Sequence, residues 1–122
     1  GGFIMAKINV HSKRLRIYIG ENDYFDGKPL AKAIVQTAKK LDLAGASVFR
    51  GIIGFGANSR IHSASLIDLS SDLPIIIEII DSEEYINKLL PHLDEMLSEG
   101  GLMTIDDVNV IKYGNKPPRK ED

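Results

Sequence analysis

The chain has no cysteine, no tryptophan and only three histidines among its 122 residues. Without thiols it has no disulfide, no thiolate nucleophile and no cysteine-based zinc site, and nothing in it calls for an oxidising compartment. His11, His62 and His92 are too scattered to form a histidine-rich metal-binding run. Long hydrophobic runs are also missing. The longest near-apolar stretch, Leu73 to Ile80, is interrupted by Glu78 and falls far short of the roughly 20 residues a membrane span needs. An excess of charge is lacking too: 15 basic and 17 acidic residues leave a net charge of −2, so the basic footprint of a nucleic-acid binder is absent. The opening residues, Gly1-Gly2-Phe3-Ile4-Met5, lack the basic start and long apolar core of a signal peptide, and Gly1 to Ile4 read as an expression remnant. Together these absences predict a cytoplasmic protein without membrane insertion or nucleic-acid partner.

What is present suits one domain. An apolar fraction of 43% with 26% charged residues is ordinary for a globular chain. A domain of this length buries only roughly two thirds of its unfolded surface, so burial against further copies would help it.

Leu15, Ile17 and Ile19 alternate with Arg16 and Tyr18, as in a strand with one apolar face, ending at Gly20 before the polar Glu21-Asn22-Asp23. Pro29 stands at a helix start, and Leu30, Ala33, Ile34, Thr37, Ala38 and Leu41 recur at helical spacing, with Gly45 as the expected stop. A second strand, Ala46 to about Ile53, runs into Gly54-Phe55-Gly56. Ala57 to Pro74 read as a long functional loop with a weak alternating segment, Ile61 to Leu69; its length exceeds ordinary connections in compact domains. Ile75 to Ile80 are apolar except Glu78, which predicts a central strand covered on both faces. Asp81 or Ser82 then caps a helix with Glu83 and Glu84 in its first turn and Ile86, Leu89, Leu90, Leu93 and Leu97 along it. Pro91 is expected to kink or break that helix. Gly100-Gly101 end it, Asp106-Asp107 read as a turn, and Val108 to Tyr113 as a fourth strand. The expected organisation is an N-terminal extension over 1–13, a domain over 14–113 and a disordered tail over 114–122.

The order βαββαβ makes two βαβ halves whose helices share one face of a four-stranded antiparallel sheet, an α+β ferredoxin-like sandwich. In its usual strand order the first and third strands are neighbours. Arg16 and Tyr18 then share the open face with Ile76, Glu78 and Ile80, and Arg16 pairs with Glu78. The apolar part of that face predicts contact with another subunit.

The run Gly45 to Gly56, a long loop, and then Pro74-Ile75-Ile76-Ile77-Glu78-Ile79-Ile80 resembles the second strand, loop and third strand of PII signalling proteins. Arg16-Ile17-Tyr18-Ile19-Gly20-Glu21-Asn22-Asp23 with Gly27-Lys28-Pro29-Leu30 resembles the PII-like branch of that superfamily, and the likeness extends from Arg14 to Tyr113. It implies a homotrimer whose sheets line the threefold centre and whose intersubunit clefts bind an adenine nucleotide. By that resemblance Tyr18, Gly54, Phe55, Gly56 and Ala57 lie along the ligand and Lys112 matches a cationic position near the last strand; Arg50, Arg60 and His62 add groups suited to a phosphate or base, although Arg60 and His62 also read as a charged pair on a solvated loop. Glycine at such a wall lets the backbone approach a base or phosphate closely. This chain departs from the PII pattern at Ala57, where the family has an arginine, and at Pro74, where it has a lysine; its Gly100-Gly101-Leu102-Met103-Thr104 also lacks the lysine of the family's phosphate loop. AMP or ADP is therefore expected over ATP, with no obligatory cofactor. The resemblance also implies signalling by the 57–74 loop to a partner protein such as a transporter, channel or metabolic enzyme.

Other readings of the same residues compete. Gly54-Phe55-Gly56 also suits a bulge and turn. Glu21, Asn22, Asp23 and Asp26 carry oxygens that would suit Mg²⁺ or Ca²⁺, but their spacing matches no EF-hand, and such residues commonly form turns. His11 and His92 read as surface residues. An enzyme, such as a hydrolase of nucleotides or acyl phosphates, needs a converging acid, base or anion clamp that the sequence does not assemble. An RNA-binding sheet of the same topology would use Tyr18 and Phe49, but the acidic balance opposes it.

Overall fold

Branched aliphatic side chains at Leu15, Ile17 and Ile19 give β1 (Val10–Gly20), the longest strand among the described residues, its core-facing side. In the structure, a computed structural model, residues 10–56 and 72–114 are described. β1 begins earlier than the Leu15–Ile19 alternation predicts, because Lys13 and Arg14 find acidic partners on a neighbouring strand. After it come the short β2 (Tyr24–Phe25) and β3 (Lys28–Pro29), then α1 (Leu30–Lys40), β4 (Ser47–Arg50), β5 (Pro74–Asp81), α2 (Glu83–Met96) and β6 (Leu102–Val110).

The main sheet has four strands in the order β4-β5-β1-β6, with every pairing antiparallel. This is the ferredoxin-like order, with the first and third long strands adjacent. Leu15, Ile17 and Ile19 of β1 stand opposite Ile79, Ile77 and Ile75 of β5, and all six are buried. Leu30, Ile34 and Ala38 of α1 and Tyr85, Ile86, Leu89 and Leu93 of α2 close the core over them. Each fully buried aliphatic side chain contributes about 1.5–3 kcal/mol of transfer free energy, so the helix-facing layer dominates the stability.

Three boundaries differ from the sequence expectation for local reasons. α1 stops at Lys40, well before Gly45. Asp42 takes a left-handed φ of 64°, and the N–H groups of Asp42 and Leu43 bond the carbonyls of Lys39 and Ala38 at 3.1 Å, a Schellman closure that turns Leu43 into the core. β4 ends at Arg50 because its partner strand starts with Pro74, which accepts from Gly51 N–H at 2.7 Å but has no N–H to return. Ile52 and Ile53 consequently point into solvent. β6 starts at Leu102, so Asp106 and Asp107 lie inside the strand rather than in a turn before it. They face Arg14 and Lys13 across β1, and these charge pairs offset the poor strand propensity of aspartate.

Pro91 does not break α2, which is continuous from Glu83 to Met96. Pro91 and Asn87, whose carbonyl loses its helical donor, are both exposed, while Leu89 and Leu93 are fully buried on either side. Ser82 is the cap, accepting from Tyr85 N–H at 3.3 Å. Asp81 instead holds Ala44 N–H at 2.8 Å, fastening the turn after α1 to the end of β5. The hairpin of β2 and β3 was not anticipated. Its Asp26-Gly27 pair, with φ of 53° and 79°, is the sequence signal for such a two-residue turn.

Candidate functional site

Antiparallel pairing brings the glycine-rich segments to one end of the sheet. The last residue of β1, Gly20, stands opposite the first of β5, Pro74; Arg50 at the end of β4 stands opposite Ile75; and Leu102 at the start of β6 stands opposite Tyr18. Gly51 to Gly56 and Gly100-Gly101 therefore flank the same strand ends.

Two glycines here are required by space. At Gly51 a Cβ would lie 2.6 Å from Pro74 Cγ, so the strand end and the proline ring touch backbone to side chain. At Gly101, with φ of 127°, a Cβ would lie 3.0 Å from Leu97 Cδ2 and 3.5 Å from the Tyr18 carbonyl oxygen, so α2 hands the chain to β6 directly against β1. At Gly56 a Cβ would meet no atom of the described residues within 4 Å.

Polar groups brace the same corner. Arg50 Nε lies 2.8 Å from Glu21 Oε2, joining the ends of β4 and β1. Glu21 N–H donates to the Leu73 carbonyl at 2.9 Å, and the second Glu21 carboxylate oxygen lies 3.5 Å from Leu73 N. Asp72 accepts from Asn22 N–H at 3.1 Å, and Asp23 accepts from Gly20 N–H at 2.9 Å. Glu21 and Asp23, considered above as metal-ligand candidates, thus hold the turn after β1, and Asp26 sits in the hairpin. No metal-holding group of acidic or histidine side chains occurs among the described residues.

On the sheet face away from the helices, one cross-strand row runs Phe49, Ile76, Tyr18, Leu102, and the next runs Ser47, Glu78, Arg16, Thr104. Tyr18 is half-buried in the first row, whereas Phe49 and Leu102 are 52% and 56% exposed. In the second row Arg16 Nε donates to Glu78 Oε2 at 3.1 Å, the pair anticipated from strand order.

Of the sequence-predicted site residues, Tyr18, Arg50, Gly54, Phe55 and Gly56 share this end, with Phe55 exposed. Ala57, Arg60 and His62 lie outside the described residues. Lys112 follows β6 at the opposite end of the sheet, beyond the Val10–Val110 pair, which itself lies roughly 26 Å from the Tyr18–Leu102 pair at about 3.3 Å per strand residue. A single protomer does not bring it to the glycines. Asp72 and Gly51 are not among the sequence candidates, and Glu21 is one only for a metal, not for the nucleotide. Gly51 was legible as part of the glycine-rich run, but Asp72 acquires its position only through the fold.

His11 and His92 are exposed, and His11 Nε2 lies 3.5 Å from Asp107 Oδ1 across the sheet. The Arg14 hydrogen bond holds Asp106 below the usual carboxylate range, and that of Lys13 does the same for Asp107. These groups lie toward the Lys112 end.

Residues 12–110 match the model of the DUF190 family, described as Uncharacterized ACR. The chain belongs to the DUF190 family. Relatives of this DUF190 protein include a UPF0166 protein of Aquifex aeolicus, 42% identical over 102 residues, covering 84% of this chain and 95% of that one. Another is a UPF0166 protein of Methanocaldococcus jannaschii, 39% identical over 103 residues, with 84% and 94% covered. Among solved structures, a PII-like protein of Thermus thermophilus superposes with a TM-score of 0.60 at 23% identity, covering 85% of this chain and 93% of that one. CPII of Thiomonas intermedia, a nitrogen regulatory PII-like protein solved with ADP, AMP and bicarbonate, has a TM-score of 0.60 at 19% identity, with 88% and 94% covered. The DUF190 chain therefore has the PII-like fold.

Proposed function

We propose that this DUF190 protein is a cytoplasmic PII-like regulator that binds AMP or ADP at the glycine-rich sheet end, in clefts completed by neighbouring subunits of a homotrimer. The observation that carries the reading is the convergence of Tyr18, Arg50, the 51–56 run and Gly101 on one sheet end, where glycine backbone lies beside a cation. The adenine nucleotides bound to CPII, which shares the fold, support the ligand class. The aromatic and aliphatic row Phe49, Ile76, Tyr18 and Leu102 supports the trimer, since such an exposed face is best buried against further copies. Lys112 joins the site only from a neighbouring subunit.

In this reading Arg60 and His62 act from the 57–74 loop, and the loop transmits occupancy to a partner protein such as a transporter, channel or enzyme through differing affinities of its bound and empty states. The test is calorimetry with AMP, ADP, ATP and cyclic AMP, alongside a hydrolysis assay. Saturable binding of AMP or ADP without turnover is expected. Silence toward every nucleotide removes the reading, and steady turnover replaces it with a hydrolase.

A further inference from the structure

Arg50, the cation at the end of β4 among the described residues, is already engaged. Arg50 is bonded to Glu21 at 2.8 Å, and the Glu21 side chain is the more buried of the two, 23% exposed against 62% for Arg50. The carboxylate is held there by the backbone: Glu21 N–H bonds the Leu73 carbonyl at 2.9 Å, and the next residue's N–H is tied to Asp72 at 3.1 Å. Asp72 itself packs against Gly20, where a Cβ would lie 2.7 Å from its Oδ1. Glu21 and Asp72 are thus positioned carboxylates beside the strand end that carries Arg50, and the two positions that would add cations in the PII pattern are Ala57 and Pro74. An anion that reaches Arg50 must compete with Glu21, and each further negative charge on that anion faces Glu21 and Asp72.

We infer that Glu21, assisted by Asp72, determines phosphate number at this site: it admits a short phosphate chain and disfavours a longer one by occupying Arg50 and adding negative charge beside it. The inference rests on the proposed nucleotide site. Glu21 acts as a specificity residue through charge, so the effect must scale with the charge of the ligand and vanish for an uncharged one. Two unit charges separated by several ångströms at a partly solvated site interact enough to change affinity by about tenfold.

The experiment compares adenosine, AMP, ADP and ATP by calorimetry in magnesium-free buffer, for the wild-type protein, Glu21→Gln and Asp72→Asn. Both substitutions are near-isosteric, keep one side-chain oxygen to accept the backbone N–H, and replace the other, charged acceptor with a neutral NH2 donor. Glu21→Gln should strengthen ATP binding about tenfold relative to AMP and leave adenosine within about twofold, and Asp72→Asn should shift the same ratio in the same direction by less. An unchanged ATP-to-AMP ratio in both folded variants, or an equal gain for adenosine, overturns the inference while nucleotide binding stands. Failure of the wild-type protein to bind any of the four overturns the site itself, and the inference with it.

Discussion

Gly51 donates its N–H to the Pro74 carbonyl at 2.7 Å while the direction of its missing side chain points at the Pro74 ring, 2.6 Å from Cγ. The end of β4 and the start of β5 therefore fit together only with glycine on one side. Gly51→Ala should destabilise the protein by about 1–3 kcal/mol, the usual range for overpacking. The loss should be partly recovered in Gly51→Ala with Pro74→Ala, because the ring atoms in the way are then gone. Urea denaturation of the two variants and of Pro74→Ala alone gives the coupling, and additivity would show that the two residues do not meet.

The open sheet face offers a direct test of assembly. Tyr18 and Ile76 are neighbours in its apolar row. Ile76→Asp should convert a trimer into monomers at micromolar concentration by sedimentation, whereas Ile52→Asp, at a side chain 92% exposed beyond β4, should leave the assembly intact. A monomeric wild-type protein would rule out the trimer.

Arg16 and Glu78 lie in the adjacent row, with side chains 36% and 28% exposed. In an isolated protomer their coupling in a double-mutant cycle should stay below about 1 kcal/mol and weaken with salt. Burial of this face in an oligomer should make the loss of either partner alone cost about 3–5 kcal/mol. The same cycle run above and below the dissociation concentration separates the two cases.

Acid should act on the pairs between β1 and β6. Asp106 and Asp107 titrate below their ordinary range because Arg14 and Lys13 hydrogen-bond their charged forms. A depressed carboxylate contributes stability that is present above its unfolded pKa, about 3.9, and is lost as pH falls through the lower folded value. The destabilisation caused by Asp106→Asn with Asp107→Asn should accordingly be largest near neutrality and shrink as pH drops below about 4. Lys13, raised by its bond to Asp107, loses its contribution only as pH rises above its usual range. Urea midpoints at neutral pH and at two acid values on either side of the unfolded carboxylate pKa supply the check, and a difference independent of pH would deny the pairs their role.

Pro91 removes a hydrogen-bond donor from the exposed side of α2 while the helix continues through it. Pro91→Ala should raise the melting temperature, with a gain of about 2 kcal/mol once the greater freedom of the unfolded chain is subtracted from the helix-propensity difference. A lower melting temperature would show that the proline ring makes contacts the helix needs.

Much of the sheet could be read directly. The alternation around Leu15, Ile17 and Ile19 assigned the buried face, and the nearly continuous apolar run of β5 marked its central place. The βαββαβ order then set the neighbours closely enough to pair Arg16 with Glu78. Strand ends were less legible because they depend on partners. Asp106 and Asp107 look like a turn until Arg14 and Lys13 stand opposite them, and Ile52 and Ile53 look like strand until Pro74 withholds the donor that would continue the ladder.

The candidate site divides in the same way. Sequence alone determined its glycine-rich wall, because the absence of a Cβ is a local property, and it marked Arg50 and Tyr18 because they sit in strands whose periodicity is plain. The missing cations at Ala57 and Pro74 were equally visible. Only the tertiary structure decided that Glu21 neutralises Arg50, that Asp72 packs beside them and that Lys112 lies at the other end of the sheet. The physical reason is range. Conformational freedom and hydrophobic period are written residue by residue, whereas electrostatic partnership is set by strand register between segments some thirty to fifty residues apart.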